Sequence, residues 1–209
     1  MNAALDSKPK QRIFKAAVFL FARNGYASVG IRMTAKRARV NGAMISYYFG
    51  GKAGLLKTII DSFFGLFQPI MLRYSESPLP LDEWICAFVH DTVAVMRDNS
   101  DLCTLGVMEL PFDKPKIAEY KAEKIRTMQS LFTHAFLGTH TLDEKHDRNP
   151  EIASPAIFAM LFSTCLLRPI IHETTGVIKD RSFSEQYENT IGALLLKGLS
   201  GIVEEGARS

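Results

Sequence analysis

The chain has 209 residues, of which 47% are hydrophobic and 22% charged, and a net charge of +3, so it can bury one sizeable core or two modest ones. This composition argues against disorder, and three scattered cysteines without a CxxC pair argue against a secreted disulfide framework. The first residues lack the apolar region of a signal peptide, and the longest apolar stretch, 156–171, is too interrupted to span a membrane, so we expect a soluble cytoplasmic protein with no membrane contact.

Charge is distributed unevenly along the chain. Residues 7–60 include eleven lysines or arginines and no aspartate or glutamate, whereas the chain from residue 76 onward has 13 basic and 20 acidic residues. An acid-free basic segment of this length fits a polyanionic partner, of which nucleic acid is the commonest. A basic face kept for solubility is the alternative.

Helical periodicity dominates the first half of the chain, and no alternating strand pattern of useful length occurs. The first predicted helix lies in QRIFKAAVFLFARNGY and ends at Asn24-Gly25. A second is expected from about Ile31 to Ala38, with Ile31, Ala35 and Ala38 buried. The apolar stripe of the first helix comprises Ile13, Ala16, Ala17, Leu20 and Phe21.

The third predicted helix is N-capped by Asn41, runs through Tyr48, and turns Met44, Ile45 and Tyr48 inward. A long fourth helix opens at Lys52.

Pro69 is expected to kink or break the fourth helix because it has no N–H donor. Beyond the spacer SESPLPLDE, further helices are predicted near 82–98, 101–110, 114–137, 155–173 and 183–204.

The segment 40–52, VNGAMISYYFGGK, allows three interpretations. A hairpin at Asn41-Gly42 fails because no alternating strand flanks it. A phosphate-binding loop fails because Ser46 and Ala53 stand where that motif needs glycine and a hydroxyl residue. A helix–turn–helix remains, whose second helix carries small outward residues and offers N-terminal N–H groups to a phosphate.

Residues 12–60 resemble the N-terminal DNA-binding domain of the TetR family of bacterial transcriptional regulators. The match includes an Ala-Ala helix, a Gly-Tyr pair, an aromatic cluster and a following lysine and leucine. The matching positions are Ile13, Ala16, Ala17, Leu20, Phe21, Gly25, Tyr26, Ala35, Ala38, Val40, Tyr47, Tyr48, Phe49, Lys52 and Leu55.

Several positions depart from the family pattern. Arg39 stands at the turn position usually held by glycine, which strains the backbone if φ is positive there. Val29 replaces a capping threonine and leaves Ser28 as a substitute cap, while Thr34 replaces a core isoleucine. Ser46 stands where a phosphate-contacting tyrosine is frequent.

The resemblance implies an all-α protein with an N-terminal three-helix DNA-binding domain (8–68) and a C-terminal helical bundle for ligand binding and dimerisation (69–209). Lys36, Arg37 and Arg39 would add electrostatic attraction, although Arg37 or Arg39 could face away from DNA, and Tyr48 could belong to the core. Phosphate contacts are implied for Ser28, Arg32, Asn41, Tyr47, Tyr48 and Lys52, and positions nearest base edges for Arg32, Gly42, Ala43 and Ser46.

For the second domain, the resemblance implies a small-molecule cavity and a homodimer interface made by the last two helices. Helix 155–173 is apolar nearly all round, which fits cover on two sides, and glycines in 183–204 permit close helix approach. Completion of a monomer core is the alternative. Pocket candidates are Trp84, Phe88, Met96, Cys103, Met108, Met128, Phe132, Phe162, Cys165, Arg168 and His172.

Catalytic patterns are lacking in the sequence: it contains neither GxSxG nor HExxH, and we expect no enzyme activity, cofactor or metal. A small helical enzyme or carrier that binds an anionic cofactor through its basic N-terminal segment is the rival interpretation. The mechanism that the resemblance implies is a repressor whose dimer places two recognition helices in successive major grooves of a near-palindromic operator and is released by ligand. Pro69 is our candidate for the point where motion is transmitted.

Overall fold

The protein is described by a computed structural model, which defines residues 7–108, 115–139, 155–163, 167 and 185–196. Most of these residues are helical, and none of them lies in a strand. The prediction of an all-α protein is therefore confirmed.

Nearly every predicted helix is present in the described residues. The predicted helices at 101–110, 155–173 and 183–204 run beyond what the structure describes, and residues 155–163 and 185–196 within them are helical. The named helices are α1 (Lys8–Asn24), α2 (Ile31–Ala38), α3 (Ala43–Phe49), α4 (Lys52–Ser75), α5 (Leu81–Asp98), α6 (Ser100–Met108) and α7 (Pro115–Thr139).

Helix α1 begins at Lys8, three residues before the predicted stretch, and ends at Asn24 as predicted. Ser7 is the N-cap, and its Oγ accepts a hydrogen bond from the Lys10 N–H at 3.3 Å. Gly25 terminates the helix with φ of 75°, and its N–H donates to the Phe21 carbonyl. The predicted apolar stripe of α1 is buried in full.

The inner faces of α2 and α3 differ in part from the prediction. Ile31, Met44 and Tyr48 are only half-buried, whereas Thr34 and Phe49 are buried. Thr34 tolerates burial because its Oγ1 donates to the Gly30 carbonyl at 3.2 Å, so no donor is left unpaired.

Helix α4 continues through Pro69, so the expected break is wrong. A proline removes the hydrogen bond to the carbonyl four residues earlier, here Gly65. Gly65, Gln68 and Pro69 are all exposed, so this side of the helix faces solvent and water can replace the lost bond.

Helix α4 is also long and apolar enough, by length and composition, to cross a membrane. Half of that apolar stretch is buried inside the protein. The feature is therefore weak evidence for a membrane span.

The described residues divide into two compact units. The first comprises those within 1–66 and 99–125, and the second those within 67–98 and 126–209. The helices α4 and α7 each contribute to both units, and α6 belongs to the first. The predicted functional domains, 8–68 and 69–209, stay a prediction.

In the first unit, α6 and α7 pack against α4. A β-carbon on Gly106 would lie 2.3 Å from the Phe63 ring, so the glycine allows α6 to approach α4 closely. The Tyr120 hydroxyl donates to Asp61 Oδ1 at 2.6 Å, and Lys124 Nζ donates to the same oxygen at 2.9 Å. Burial together with the hydrogen bond to Asp61 raises the pKa of Tyr120.

The second unit contains a continuous chain of aromatic contacts. Trp84 stacks on Phe88 with ring centroids 5.1 Å apart, and Phe88 lies 5.6 Å from Phe132. Trp84 is also satisfied as a donor, because its Nε1–H bonds to the Tyr74 carbonyl at 3.1 Å. The chain continues through Phe158, Phe162 and Phe67.

The hydroxyl of Tyr74 marks one edge of this aromatic chain. It donates to Asp91 Oδ2 at 3.1 Å, and Arg73 binds the same oxygen at 2.6 Å. Burial, with a further contribution from Asp91, raises the pKa of Tyr74 to about 12.

Candidate nucleic-acid interface

The turn between α2 and α3 is tight and left-handed. Arg39 adopts φ of 55° and ψ of 50°. Among the described residues it is the only non-glycine residue with a positive φ. Its N–H donates to the Lys36 carbonyl at 3.2 Å, and the Val40 N–H donates to the Ala35 carbonyl at 3.1 Å. The turn position therefore has the geometry for which glycine is usual.

Asn41 bonds to the start of α3, although it is not the N-cap that the sequence predicts. Its Oδ1 accepts a hydrogen bond from the Ala43 N–H at 2.9 Å, although the N-cap position is held by Gly42. Gly42 also lies close to α2, because a β-carbon there would be 3.8 Å from Ile31 Cγ2. The Asn41 side chain therefore fixes the first turn of α3.

The outer face of α3 is made of small side chains beside one large aromatic. Ala43 and Ser46 are exposed, and Tyr47 is 82% exposed. Ile45 and Phe49 anchor the opposite face in the core. A face of this kind lets the helix backbone approach a groove closely while Tyr47 projects beyond it.

Helix α2 has two exposed stripes of side chains, and the stripe that contains Arg37 contacts α1. Arg37 lies over the Phe19 ring of α1, with its guanidinium carbon 3.3 Å from the ring centroid. Arg32 and Lys36 form the other exposed stripe, four residues apart. Arg37 is therefore turned toward α1, and Arg32 and Lys36 are the cations of α2 that remain available to a polyanion.

Ser28 does not cap α2, contrary to expectation. Gly30 holds the N-cap position without a side-chain hydrogen bond, and Val29 is fully buried. The Ser28 hydroxyl instead donates to the carbonyls of Asn24 and Gly25 at the end of α1. Ser28 is exposed, so it remains at the surface where a phosphate contact was predicted.

Lys52 is held by the protein rather than projecting freely. Its Nζ donates to the Ala27 carbonyl at 3.3 Å and lies 4.2 Å over the Tyr26 ring. Gly50 and Gly51, with φ of 70° and 101°, make the turn that brings Lys52 there. Lys52 thus joins the start of α4 to the loop before α2.

The predicted ligand residues are not brought together as one set. Trp84, Phe88, Met96, Met128, Phe132 and Phe162 are buried in the second unit. Cys103 is buried in the first unit, where Met108 is exposed. Cys165, Arg168 and His172 lie outside the described residues. Within the described ranges, no three His, Cys, Asp or Glu side chains are close enough to hold a metal ion.

Contacts of Phe19 were missed by sequence reasoning. Arg23 and Arg37 both lie over its ring, and Arg23 also binds Asp101 of α6 at 2.9 Å. The spacing of Phe19 and Arg23 by four residues was a usable signal, but the approach of Arg37 depends on how α1 and α2 cross.

Comparison with known proteins agrees with this geometry. Residues 13–59 match the family model for bacterial regulatory proteins of the tetR family. Over 125 residues, the chain is 29% identical to the "Probable HTH-type transcriptional regulator YttP" of Bacillus subtilis (strain 168). That alignment covers 59% of this chain and 60% of YttP.

Solved structures share the fold over nearly the whole length. The fatty acid degradation regulator FadR from Bacillus halodurans superimposes with a TM-score of 0.70 at 19% identity, covering 95% of this chain and 97% of that one. FadR from Bacillus subtilis, solved in complex with stearoyl-CoA, gives a TM-score of 0.67 at 16% identity, covering 87% and 96%. With the helix–turn–helix geometry, the match at residues 13–59 identifies this segment with the DNA-binding domain of bacterial regulatory proteins of the tetR family, and the solved structures show that the chain shares the fold of the two FadR regulators.

Proposed function

We propose that the protein is a transcriptional repressor that binds a near-palindromic DNA operator as a homodimer and is released by a small-molecule effector. The observation that carries the proposal is the outer face of α3, where small side chains and the 82%-exposed Tyr47 stand in an acid-free basic segment. With chromosomal DNA as its partner, the protein would act in the cytoplasm.

The proposed DNA contacts divide between backbone and bases. Arg32, Lys36 and Tyr47 are exposed and suited to phosphates, which position the protein without reading sequence. Ala43 and Ser46 on α3 would lie nearest base edges, with thymine methyl groups as natural partners for Ala43. Such short side chains read few bases directly, so DNA shape would supply the remaining selectivity.

Four further residues of the predicted interface have narrower proposed roles. Asn41 and Gly42 would present the first turn of α3 to a phosphate. Tyr48 is half-buried and Lys52 is engaged with Tyr26 and Ala27, so we propose that both support the interface from behind.

A dimer through the last two helices is supported by exposed apolar side chains. Leu194 is 52% exposed and Leu167 is 46% exposed in the described part of that region. Two such helices from each protomer would form a four-helix interface. The two recognition helices would then enter major grooves roughly 34–36 Å apart.

The proposed effector has a large apolar body. The aromatic chain around Trp84, Phe88 and Phe132 favours such a ligand, and a regulator of the same fold was solved with stearoyl-CoA. Thr92, four residues after Phe88 on α5, is fully buried, and its Oγ1 has no hydrogen-bond partner among the residues that the structure describes. A polar atom of the effector would satisfy this hydroxyl.

We propose that α4 transmits the effect of effector binding to the DNA-binding segment. Helix α4 belongs to both compact units, and Pro69 is our candidate for the position where it bends. The coupling between effector and DNA would be about 1–3 kcal/mol and reciprocal. If Pro69→Ala leaves effector-induced release from DNA unchanged, this role of Pro69 is wrong.

The test is a titration of the purified protein against a fluorescent duplex from the DNA upstream of its own gene, beside a scrambled duplex, at two salt concentrations. We expect selective binding that weakens with salt and reaches two chains per duplex. Long-chain acyl-CoA thioesters are the first effector probes. Absence of binding at low salt would contradict the proposal and favour a helical enzyme or carrier that binds an anionic cofactor.

A further inference from the structure

The ring of Phe19 on α1 lies between two guanidinium groups. The guanidinium carbon of Arg23 is 3.7 Å from the ring centroid and that of Arg37 is 3.3 Å from it. Two guanidiniums cannot both approach one face of a ring this closely without overlapping, so they occupy opposite faces. We call Arg23, Phe19 and Arg37 the arginine sandwich.

The sandwich joins α1 to α2, because Arg37 comes from α2 and the other two residues from α1. Arg23 is oriented by two further contacts: its Nη1 donates to the Phe19 carbonyl at 3.3 Å and to Asp101 Oδ2 at 2.9 Å. Asp101 lies in the first turn of α6. A chain of direct contacts therefore leads from α6 through α1 to α2.

Like charges on both faces of one ring repel each other, and the Asp101 carboxylate offsets part of that repulsion on the Arg23 side. The sandwich is thus more favourable when α6 holds Asp101 against Arg23. Cation–π contacts and exposed ion pairs are individually small, so the arrangement can respond to a modest shift of α6.

We propose that Phe19 is a positioning residue for DNA binding, which holds α2 on α1 through Arg37, and that Asp101 makes this hold depend on α6. The inference rests on the proposed function for its effect on DNA, whereas the link between α6 and α2 can be measured in the free protein. Arg37 acts through Phe19 and away from the Arg32 and Lys36 stripe.

The test compares Asp101→Asn with Asp98→Asn. Asp98 is an exposed carboxylate three residues earlier that pairs with its neighbour Arg97 at 3.4 Å, so its substitution removes the same charge without touching α1. Loss of a negative charge by itself favours DNA binding. We expect Asp101→Asn nevertheless to weaken operator binding about threefold relative to Asp98→Asn, in keeping with an exposed ion pair.

A second pair of variants isolates the ring. Phe19→Leu keeps an apolar side chain but removes both cation–π contacts, and we expect about a tenfold loss of operator affinity. Phe19→Tyr keeps the aromatic face and should stay within about twofold of the unsubstituted protein. A purely steric role for Phe19 would be met about equally by both substitutions.

Hydrogen exchange of the α2 amides in the free protein separates this inference from the proposed function. Faster α2 exchange in Asp101→Asn than in Asp98→Asn supports the link, whether or not the chosen duplex is bound. Equal exchange in those two variants, or α2 exchange in Phe19→Leu equal to that of the unsubstituted protein, would overturn it. Failure of the unsubstituted protein to select the operator would count against the proposed function alone.

Discussion

The backbone carbonyl of Phe49, at the end of α3, occupies the space beside Gly54 in the first turn of α4. A β-carbon on Gly54 would stand 1.7 Å from that oxygen, which no side-chain adjustment can relieve because the oxygen belongs to the main chain. Gly54 therefore allows the end of α3 and the start of α4 to approach each other this closely.

Gly54→Ala should lower the free energy of unfolding by at least about 2 kcal/mol, since the backbone must move to accommodate the methyl group. Gly65→Ala is the matched control in the same helix, because a β-carbon there meets nothing within 4 Å. That control should stabilise the protein by up to about 1 kcal/mol through helix propensity. Urea denaturation measures the change in the free energy of unfolding for both variants. Equal changes would show that the Phe49 carbonyl does not exclude a side chain at residue 54.

Arg39→Gly should raise the free energy of unfolding by about 1 kcal/mol, because glycine adopts φ of 55° without strain. Arg39→Ala removes the same charge but keeps a β-carbon at the left-handed position. The difference in the free energy of unfolding between the two variants thus isolates the strain of the left-handed backbone at residue 39. Identical denaturation midpoints for the two would show that positive φ carries no penalty at this turn.

Tyr47→Phe should weaken binding to operator and scrambled duplexes alike by roughly fivefold, the effect of about 1 kcal/mol from a lost hydrogen bond. The reason is that a phosphate contact carries no sequence information. Tyr48→Phe, which alters the half-buried neighbour, should have a smaller effect. Loss of selectivity in place of a uniform loss of affinity would assign Tyr47 to base reading.

The raised pKa of Tyr74 predicts a specific loss of stability in alkali. The pKa is about 12 in the folded protein and about 10 when the chain is unfolded, so the neutral phenol stabilises the fold fully below pH 10. This contribution is lost progressively as pH rises from 10 to 12. Urea denaturation at pH 8 and pH 11 should show a smaller decline for Tyr74→Phe, which cannot ionise.

At pH 8, Tyr74→Phe should cost about 1 kcal/mol, because Asp91 loses one hydrogen-bond donor while keeping Arg73. An unchanged alkaline decline in this variant would assign the loss of stability to other groups.

The sequence predicted the buried faces of long helices better than it predicted the contacts between helices. The stripe containing Ile13 and Phe21 was predictable because α1 runs for 17 residues and repeats its period several times. Helix α3 has only seven residues, too few for periodicity alone to separate buried Phe49 from half-buried Tyr48. The turn at Arg39 was predictable from a family pattern in which glycine is usual.

Other features of the site depend on tertiary geometry. The continuation of α4 through Pro69 requires that the proline face solvent, which the local sequence does not specify. The hydrogen bonds of Ser28 with the end of α1 compete with the capping role that its position suggested. The position of Arg37 over Phe19 depends on the crossing of two helices, so sequence reasoning left the direction of Arg37 open.

The acid-free segment has a consequence for how the regulator responds to acidity. Residues 7–60 contain no Asp, Glu, His or Cys, which are the side-chain types whose ordinary pKa values lie between about 3.9 and 8.5. On these ordinary values, the charge of the proposed DNA-binding surface would be constant across the range of pH found in living cells. Any pH dependence of operator binding in that range must originate in the remainder of the chain, where all five histidines lie.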